Sequence, residues 1–197
     1  MYKRQTKTGK AVQQLRCPCP DNRAVAFSSD DRLIAAGGRC GTIRVWDLAT
    51  GRAATQFKAH KKRIRSIDFT SDGRIVSASD DQTIRITDPA NPRAHRALPR
   101  LASKLYSTAL LSDGMLATGG SDNHIHVWQL DQLLELGPLK AHTGTVSCLD
   151  YAAGKLVSGS YDTHVRVWQT EAHTAPAQRQ TKLIGETEQN GWSQRIK

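Results

Sequence analysis

The chain has 197 residues, of which 38% are hydrophobic and 23% charged, with a formal net charge of +10. This composition is typical of a soluble globular domain and excludes wholesale disorder, and no run approaches the roughly 18 apolar residues of a membrane-spanning helix. The basic N-terminus is not followed by an apolar segment, so we predict no secretory signal. The positive charge favours acidic partners, namely nucleic acid, phosphorylated segments or anionic membrane, and the alternative is a scattered, solvated surface.

The four cysteines do not show the spacing of a disulfide framework or a metal site. Cys17 and Cys19 are separated by one residue, whereas the usual zinc knuckle separates its cysteines by two, and Cys40 and Cys148 stand far from them. We therefore predict neither a metal nor another cofactor. A reduced, cytoplasmic location is expected.

The first repeated unit combines four short segments of alternating or β-rich sequence. RAVAF (23–27) is followed by the polar turn SSDDR, by LIAAG (33–37), by GTIRVWD (41–47) and by the outer segment TGRAATQFKAH (50–60). Turns rich in Asp and Gly are typical of tight hairpins. In the third segment Ile43 and Val45 face one side and Arg44 the other, which predicts a strand.

The same order of segments recurs three more times along the chain. QTIRITD (82–88), NHIHVWQ (123–129) and THVRVWQ (163–169) align with residues 41–47. The position of Trp46 is then occupied by Thr87, Trp128 and Trp168, at spacings of 41, 41 and 40 residues. No segment shows a sustained helical period, so the pattern predicts an all-β repeat array.

These units resemble WD repeats, each of which forms one four-stranded blade of a β-propeller. The resemblance covers about residues 10–170 and rests on the Trp46-Asp47 dipeptide, on Ala-His pairs where the family has Gly-His (Ala59-His60, Ala141-His142) and on the turn aspartates Asp81, Asp122 and Asp162. It implies an all-β propeller with four recognisable blades. The expected units are repeat 1 at 21–60, a degenerate repeat 2 at 61–100, repeat 3 at 101–141, repeat 4 at 142–170 and a polar tail at 171–197, in which TKLIG could form a last outer strand.

The number of repeats implies an incomplete ring, because rings of this family usually have seven blades. TGKAVQQLRCP (8–18) mirrors residues 50–60, so residues 1–20 are interpreted as the outer strand of a preceding or closing blade. Three interpretations remain open. The chain is the C-terminal portion of a larger propeller, a small ring completed by the strand at 10–16, or one of two self-associating copies that together form eight blades.

The resemblance also implies a hydrogen-bonded tetrad of His, Ser or Thr, Asp and Trp in each blade. Repeat 4 has the whole set. Repeat 2 has Thr87 in place of the Trp, repeat 3 has Leu101 near the His position, and repeat 1 has Ala36 and Cys40 at the hydroxyl and Asp positions. Those three blades are expected to be looser. The expected tetrad residues are His142, Ser158, Asp162 and Trp168 in repeat 4, His60, Ser77 and Asp81 in repeat 2, Thr118, Asp122 and Trp128 in repeat 3, and Trp46 in repeat 1.

His, Ser and Asp together also resemble a hydrolase triad, but their recurrence with the repeat favours a structural staple. We therefore predict no enzyme activity and no catalytic residue. His124 and His126 are interpreted as strand neighbours, and the histidines show no metal-ligand spacing.

Proteins of this family usually bind partners on the narrow top face, which implies a non-catalytic protein-interaction scaffold. The implied contact positions lie on the first strands and just before the turn aspartates: Arg23, Arg39, Arg63, Arg65, Asp80, Lys104, Tyr106 and Tyr161, with Thr145 and Ser147 beside them. Because five of these are cationic, an acidic or phosphorylated protein segment is the expected partner. The alternative is a component of a nucleic-acid-associated, RNA-processing complex.

Overall fold

The computed structural model describes residues 13–17, 21–112 and 114–170. All regular elements among these residues are β-strands, arranged in four antiparallel sheets, so the predicted all-β fold with four repeated sheets is confirmed. The described residues contain no helix that could span a membrane. The chain divides into two compact units, residues 1–96 and 97–197.

Unit 1 contains two four-stranded sheets in which each strand pairs with the next one along the chain. Short polar turns make this order possible, because neighbouring antiparallel strands can be joined by a few residues. Sheet 1 consists of β1 (Asn22–Phe27), β2 (Leu33–Gly38), β3 (Thr42–Asp47) and β4 (Ala53–Lys58). Sheet 2 consists of β5 (Ile64–Phe69), β6 (Ile75–Ser79), β7 (Ile84–Thr87) and the two-residue β8 (Arg96–Ala97), whose second residue is the first residue of unit 2.

Unit 2 repeats the arrangement with one four-stranded and one three-stranded sheet. Sheet 3 consists of β9 (Leu105–Leu110), β10 (Met115–Gly120), β11 (Ile125–Gln129) and β12 (Leu134–Leu139). Sheet 4 consists of β13 (Val146–Ala152), β14 (Lys155–Ser160) and β15 (Val165–Gln169).

The turn before each third strand has the same backbone conformation in all four sheets. Gly41, Gln82, Asn123 and Thr163 have φ angles of +69°, +69°, +67° and +69°. At Gly41 the absence of a side chain is also required by packing, because a Cβ atom would lie 2.2 Å from the His60 carbonyl oxygen. The repeat therefore extends from the sequence to the backbone dihedral angles.

Each sheet has two faces that pack differently. We call the face with the Trp46 position the first face and the face with the Ile43 and Val45 positions the second face. In unit 1, the second face of sheet 1 (Ala35, Ile43, Val45) forms one apolar cluster with Ile67 and Ile75 on the first face of sheet 2. A Cβ atom at Gly37 would lie 2.9 Å from the Cδ1 atoms of Ile64 and Ile67, so the two sheets are in direct contact.

Unit 2 shows the same packing between its own sheets. Ile125 and Val127, on the second face of sheet 3, form a cluster with Leu156 and Trp168 on the first face of sheet 4. A Cβ atom at Gly119 would lie 2.5 Å from Val146 Cγ1. In both units, therefore, the second face of one sheet covers the first face of the next.

One sequence expectation about the cysteines was wrong. Cys40 is disulfide-bonded, whereas Cys17 and Cys148 are free thiols. The spacing of cysteines in one sequence does not report which of them approach each other in space. Because a disulfide is uncommon in a reducing compartment, the cysteine argument for a cytoplasmic location no longer applies, and that location stays a prediction.

Two expected segments fall mostly or wholly outside the described residues. Within the N-terminal segment at 1–20, the described residues 13–17 have no regular secondary structure. The tail at 171–197 lies outside the described residues. The proposed outer strands of these two segments stay predictions.

Candidate functional site

Sheet 4 brings its four expected tetrad residues into one hydrogen-bonded chain. His142 Nδ1 lies 2.8 Å from Asp162 Oδ2, and His142 Nε2 lies 2.7 Å from Ser158 Oγ. Trp168 donates its indole N–H to the same hydroxyl oxygen over 2.9 Å. A carboxylate partner at Nδ1 places the imidazole proton there and leaves Nε2 to accept the Ser158 hydroxyl proton.

Asp162, at the end of this series of hydrogen bonds, has a lowered pKa. Burial raises the pKa of Asp162, but hydrogen bonds from the His164 and Thr143 backbone N–H groups and from His142 hold it well below its ordinary value. The carboxylate therefore stays ionised and ties two turns to the sheet.

Sheet 2 retains most of the network but not the tryptophan. His60 Nε2 lies 2.9 Å from Ser77 Oγ, and His60 Nδ1 lies 3.2 Å from both carboxylate oxygens of Asp81. Thr83, which the sequence analysis did not select, donates to Asp81 over 2.6 Å. Thr87 is only 1% exposed at the tryptophan position, so Ser77 has one partner fewer than Ser158 has.

Sheet 3 has a different network around its tryptophan. Trp128 donates to the Thr118 hydroxyl over 3.1 Å, as the tetrad would place it. Asp122, however, lies 2.8 Å from Nε2 of His126, and the other ring nitrogen lies 2.6 Å from Glu135. The imidazole therefore bridges two carboxylates.

This bridge changes the acidity of its members. Burial raises the pKa of Asp122, but the hydrogen bond from His126 and its charge lower it to about 2. Burial lowers the pKa of His126, but the two carboxylates outweigh that effect and raise it above its ordinary value. His126 occupies the position of Arg44 in sheet 1, Arg85 in sheet 2 and Arg166 in sheet 4, so a basic residue at this position is common to the four sheets.

Sheet 1 lacks the tetrad beyond its tryptophan. Trp46 is 4% exposed, and the Arg44 guanidinium lies 5.6 Å from the centre of its ring, within the range of a cation–π contact. Ala36 and Cys40 occupy the hydroxyl and Asp positions. Apolar packing with sheet 2 therefore stabilises this sheet in place of the network, and Cys40 forms a disulfide where the other sheets have the aspartate.

The networks are unsuited to hydrolysis. A triad needs an exposed nucleophile with oxyanion donors beside it. Ser158 and Ser77 are both 0% exposed, and the Ser158 oxygen already accepts a hydrogen bond from the Trp168 indole N–H. Among the described residues, no group of three His, Cys, Asp or Glu side chains is arranged to hold a metal ion.

The expected partner-binding positions are marked by a backbone irregularity that recurs in every sheet. The register between the first and second strands shifts by one residue near the start of each first strand. Arg23, Arg65, Tyr106 and Ser147 are the extra residues of these four β-bulges. A bulge redirects the side chain of its extra residue and is frequent next to binding sites.

A backbone hydrogen bond joins the remaining expected positions to the bulges. The N–H groups of Arg39, Asp80, Ser121 and Tyr161 donate to the carbonyl oxygens of Asp21, Arg63, Lys104 and Thr145, respectively, over 2.9–3.2 Å. The residues before the turn aspartates thus lie beside the residues that begin the first strands. In each sheet, the expected contact positions occupy the same edge.

In unit 1 this edge is rich in arginine. Arg23 Nε lies 3.2 Å from one carboxylate oxygen of Asp21, and Arg63 Nη2 lies 3.3 Å from the other. The Arg39 side chain is exposed beside them. One carboxylate therefore contacts two of three guanidinium groups and neutralises one positive charge of the three, and we call Arg23, Arg39 and Arg63 the cationic edge.

Arg65 is in a different situation from these three. It forms a bidentate ion pair with Asp80, with Nε to Oδ1 at 2.8 Å and Nη2 to Oδ2 at 3.0 Å. Such a pair fixes the guanidinium geometry. Arg65 and Asp80 therefore act together as a neutral pair next to the cationic edge.

In unit 2 the same edge is less charged and more aromatic. Lys104 is exposed, Tyr106 is half-buried and Tyr161 is 78% exposed. Thr145 and Ser147 are half-buried beside them. An exposed tyrosine offers a large contact area at a low cost in side-chain entropy.

Comparison with known proteins identifies the repeated unit. The family model described as WD domain, G-beta repeat matches residues 12–47, 51–88 and 134–169, more than half of the chain. The chain belongs to the WD-repeat family. The match omits most of sheet 3, although that sheet has four strands as sheets 1 and 2 do, so the structure shows a WD-repeat blade that the family model does not detect.

The WD-repeat chain is similar to parts of longer proteins. It is 30% identical to WD repeat and SOCS box-containing protein 1 of Mus musculus over 61% of this chain and 30% of that protein. It is 27% identical to Autophagy-related protein 16 of Arabidopsis thaliana (66% and 26%) and 32% identical to U3 small nucleolar RNA-associated protein 15 homolog of Xenopus tropicalis (52% and 20%). The chain thus spans under a third of the length of these relatives.

Among solved structures, the WD-repeat chain is similar to the computationally designed Ika4 protein. The TM-score is 0.71 at 24% identity, and the match covers 82% of this chain and 98% of that one. This likeness shows the fold.

Four residues of the site were not selected from the sequence. Asp21, Thr83, His126 and Glu135 take part through contacts that the repeat alignment does not encode. For His126 a signal existed, because it aligns with Arg44, Arg85 and Arg166 and is therefore the one titratable member of a cationic set.

Proposed function

We propose that this WD-repeat chain is a non-catalytic protein-interaction scaffold and that its cationic edge binds an acidic or phosphorylated segment of a partner protein. The observation that carries the proposal is the set of β-bulges, one at the same place in each first strand, which coincides with the positions expected to contact a partner. Within each unit, sheets that present variable side chains at this recurrent irregularity offer an edge suited to recognition.

The charge at the cationic edge supports an anionic ligand. Asp21 faces Arg23 and Arg63, whose side chains are 51% and 27% exposed, so both retain access to solvent. Guanidinium groups bind carboxylate and phosphate oxygens in bidentate geometry. An incoming phosphate would bind Arg39 and the donors of Arg23 and Arg63 that Asp21 leaves unused.

The neighbouring lysines increase the positive potential. Lys61 and Lys62 precede Arg63 and are exposed, although the Lys61 backbone N–H is bound to Asp81. These mobile cations would steer an anionic segment toward the edge rather than fix its orientation. In unit 2, Lys104, Tyr106 and Tyr161 offer a second contact region of mixed character.

The test compares two double variants with the same net charge. Arg39→Glu with Arg63→Glu reverses two charges at the cationic edge. Arg52→Glu with Arg93→Glu reverses two exposed arginines in the loops after β3 and β7, at the opposite end of the sheets. Binding of a fluorescent acidic peptide, with and without one phosphoserine, is measured by anisotropy at several salt concentrations.

The edge variant should weaken binding at least tenfold and flatten its dependence on salt, whereas the opposite-end variant should bind within about twofold of wild type. Phosphorylation of the peptide should strengthen binding to wild type and not to the edge variant. Equal affinities of the two variants would contradict the proposal.

A nucleic-acid-associated function is the second candidate. The net charge of +10 favours it, and one relative is an RNA-associated protein by its name. Only 6% of the residues are aromatic, which offers few platforms for base stacking. Tight, steeply salt-dependent binding of RNA without binding of the acidic peptide would favour this candidate.

A further inference from the structure

Sheet 1 leaves apolar side chains of its first face in solvent. Val25 is 65% exposed and Phe27 is 61% exposed. Their equivalents in sheet 2, Ile67 and Phe69, are 3% and 9% exposed because the second face of sheet 1 covers them. The same kind of surface is therefore buried in one repeat and exposed in the other.

Sheet 4 leaves the opposite face in solvent. Val165 and Val167 are 73% and 58% exposed. Their equivalents in sheet 3, Ile125 and Val127, are 0% and 2% exposed and belong to the cluster with sheet 4. Among the described residues, no sheet covers the first face of sheet 1 or the second face of sheet 4, whereas each unit shows such a cover for the same kind of face in its other sheet.

We propose that two copies of this chain associate head to tail, with the open second face of sheet 4 in one copy packed on the open first face of sheet 1 in the other. The chain itself shows what covers such faces. In both units, and with different side chains, a second face packs on the first face of the following sheet.

The shape of the open faces fits this pairing. Gly37 and Gly119 leave the space that Ile64, Ile67 and Val146 of the following sheet occupy. Gly159 is the equivalent glycine on the open face of sheet 4, because it pairs with Val165 as Gly37 pairs with Ile43. A Cβ atom at Gly159 would lie 2.6 Å from Cys148 Sγ, so Gly159 and Cys148 together form this part of the open face. In the proposed assembly it would lie against the Val25 region of the second copy.

The charges on the two faces do not oppose the pairing. The open face of sheet 4 carries Asp150 and Lys155, which are both exposed and of opposite sign. The open face of sheet 1 carries Arg44, which is half-buried, and Lys58, which is exposed and pairs with Thr42. No pair of like charges dominates both faces, so the apolar contact is not offset by strong repulsion.

The experiment uses the full chain and one double variant for each face. Val25→Glu with Phe27→Glu blocks the first face, and Val165→Glu with Val167→Glu blocks the second face. Leu134→Glu, at an apolar residue that is 51% exposed on the outer strand β12, is the matched control. Mass is measured by sedimentation equilibrium over a concentration series, and circular dichroism checks that each variant retains its β-structure.

A head-to-tail interface makes a distinctive prediction for mixtures. Wild type and Leu134→Glu should both form at least a dimer. Each face variant should be monomeric by itself, because every contact needs one face of each kind. Mixing the two face variants should restore a heterodimer, because one intact face of each kind remains.

The thiol of Cys148 gives a second readout that does not depend on variants of the faces. Cys148 is exposed and lies on the open face of sheet 4. Its alkylation rate, followed by mass spectrometry in a Cys17→Ser background, should fall as protein concentration rises. Wild type that stays monomeric, or a single face variant that still dimerises by itself, would overturn the proposal.

Discussion

The contribution of a buried hydroxyl depends on how many partners it satisfies. Ser158 bonds both His142 and Trp168, whereas Ser77 bonds His60 and has Thr87 nearby in place of an indole. Each buried polar group left without a partner costs about 1–3 kcal/mol. The two serines have the same burial and therefore form a matched pair.

We expect Ser158→Ala to lower the free energy of unfolding by about 2–4 kcal/mol and Ser77→Ala by about 1–2 kcal/mol, because the first change orphans two groups and the second orphans one. Urea denaturation monitored by circular dichroism measures both. Adding Trp168→Phe to Ser158→Ala should recover part of the loss, since the indole donor is then absent. Equal losses for the two serines would show that the indole contact contributes little.

At the same scale, the sequence predicted residue types better than contacts. The alignment placed His142, Ser158, Asp162 and Trp168 at positions that the structure brings within 2.7–2.9 Å of one another. It gave no indication that Asp21 serves both Arg23 and Arg63, because that contact joins the beginnings of two consecutive repeats. Side-chain pairs between repeats depend on local loop geometry, which no single repeat encodes.

At the scale of the element, sheet 3 differs from the other sheets in carrying a titratable cation. His126 on β11 lies between Asp122 and Glu135, with His124 6.3 Å away and Trp128 stacked on it at 6.2 Å between ring centres. The two carboxylates raise the pKa of His126 above its ordinary value of 6.5. The folded state therefore favours the protonated form of the His126 side chain over the neutral form.

The sign of the pH effect follows from this direction. A histidine with a raised pKa in the folded state stabilises fully below the unfolded pKa, and the contribution is lost as the pH rises through the folded pKa. His126→Arg keeps a cation at every pH, as at Arg44 and Arg166. The free energy of unfolding of wild type minus that of His126→Arg should therefore fall from pH 5.5 to pH 8.5, measured by urea denaturation.

The effect of pH has to be measured as a difference between wild type and His126→Arg because His60 also titrates. Its burial lowers its pKa, although Asp81 opposes this effect. A histidine with a lowered pKa destabilises the folded state as the pH falls below about 6.5, which is opposite to His126. His60 is present in both proteins and cancels in the difference. A difference that is constant with pH would contradict the bridged state of His126.

At the scale of the whole chain, the forty-residue period predicted the number of sheets and their strand order, because short turns allow only neighbouring strands to pair. The β-bulges could not be predicted, since each extra residue is the second residue of its strand and too few residues precede it to reveal a break in the alternation of side chains. The forty-residue period likewise does not predict what covers the open faces of sheets 1 and 4. A repeat specifies how one sheet packs on the next and leaves the first and last faces to whatever surface matches them.

The net charge of +10 offers a last test at this scale, because non-specific binding of RNA follows total charge whereas recognition follows particular residues. The edge variant (Arg39→Glu with Arg63→Glu) and the opposite-end variant (Arg52→Glu with Arg93→Glu) each reverse two charges, so both have a formal net charge of +6, that is, +10 less two for each substitution. We expect both variants to weaken the binding of single-stranded RNA by a similar factor, and only the edge variant to lose the acidic peptide. Filter binding of RNA over a series of salt concentrations measures the first effect and anisotropy the second. Loss of RNA binding confined to the edge variant would instead identify the cationic edge as a nucleic-acid site and favour the second candidate function.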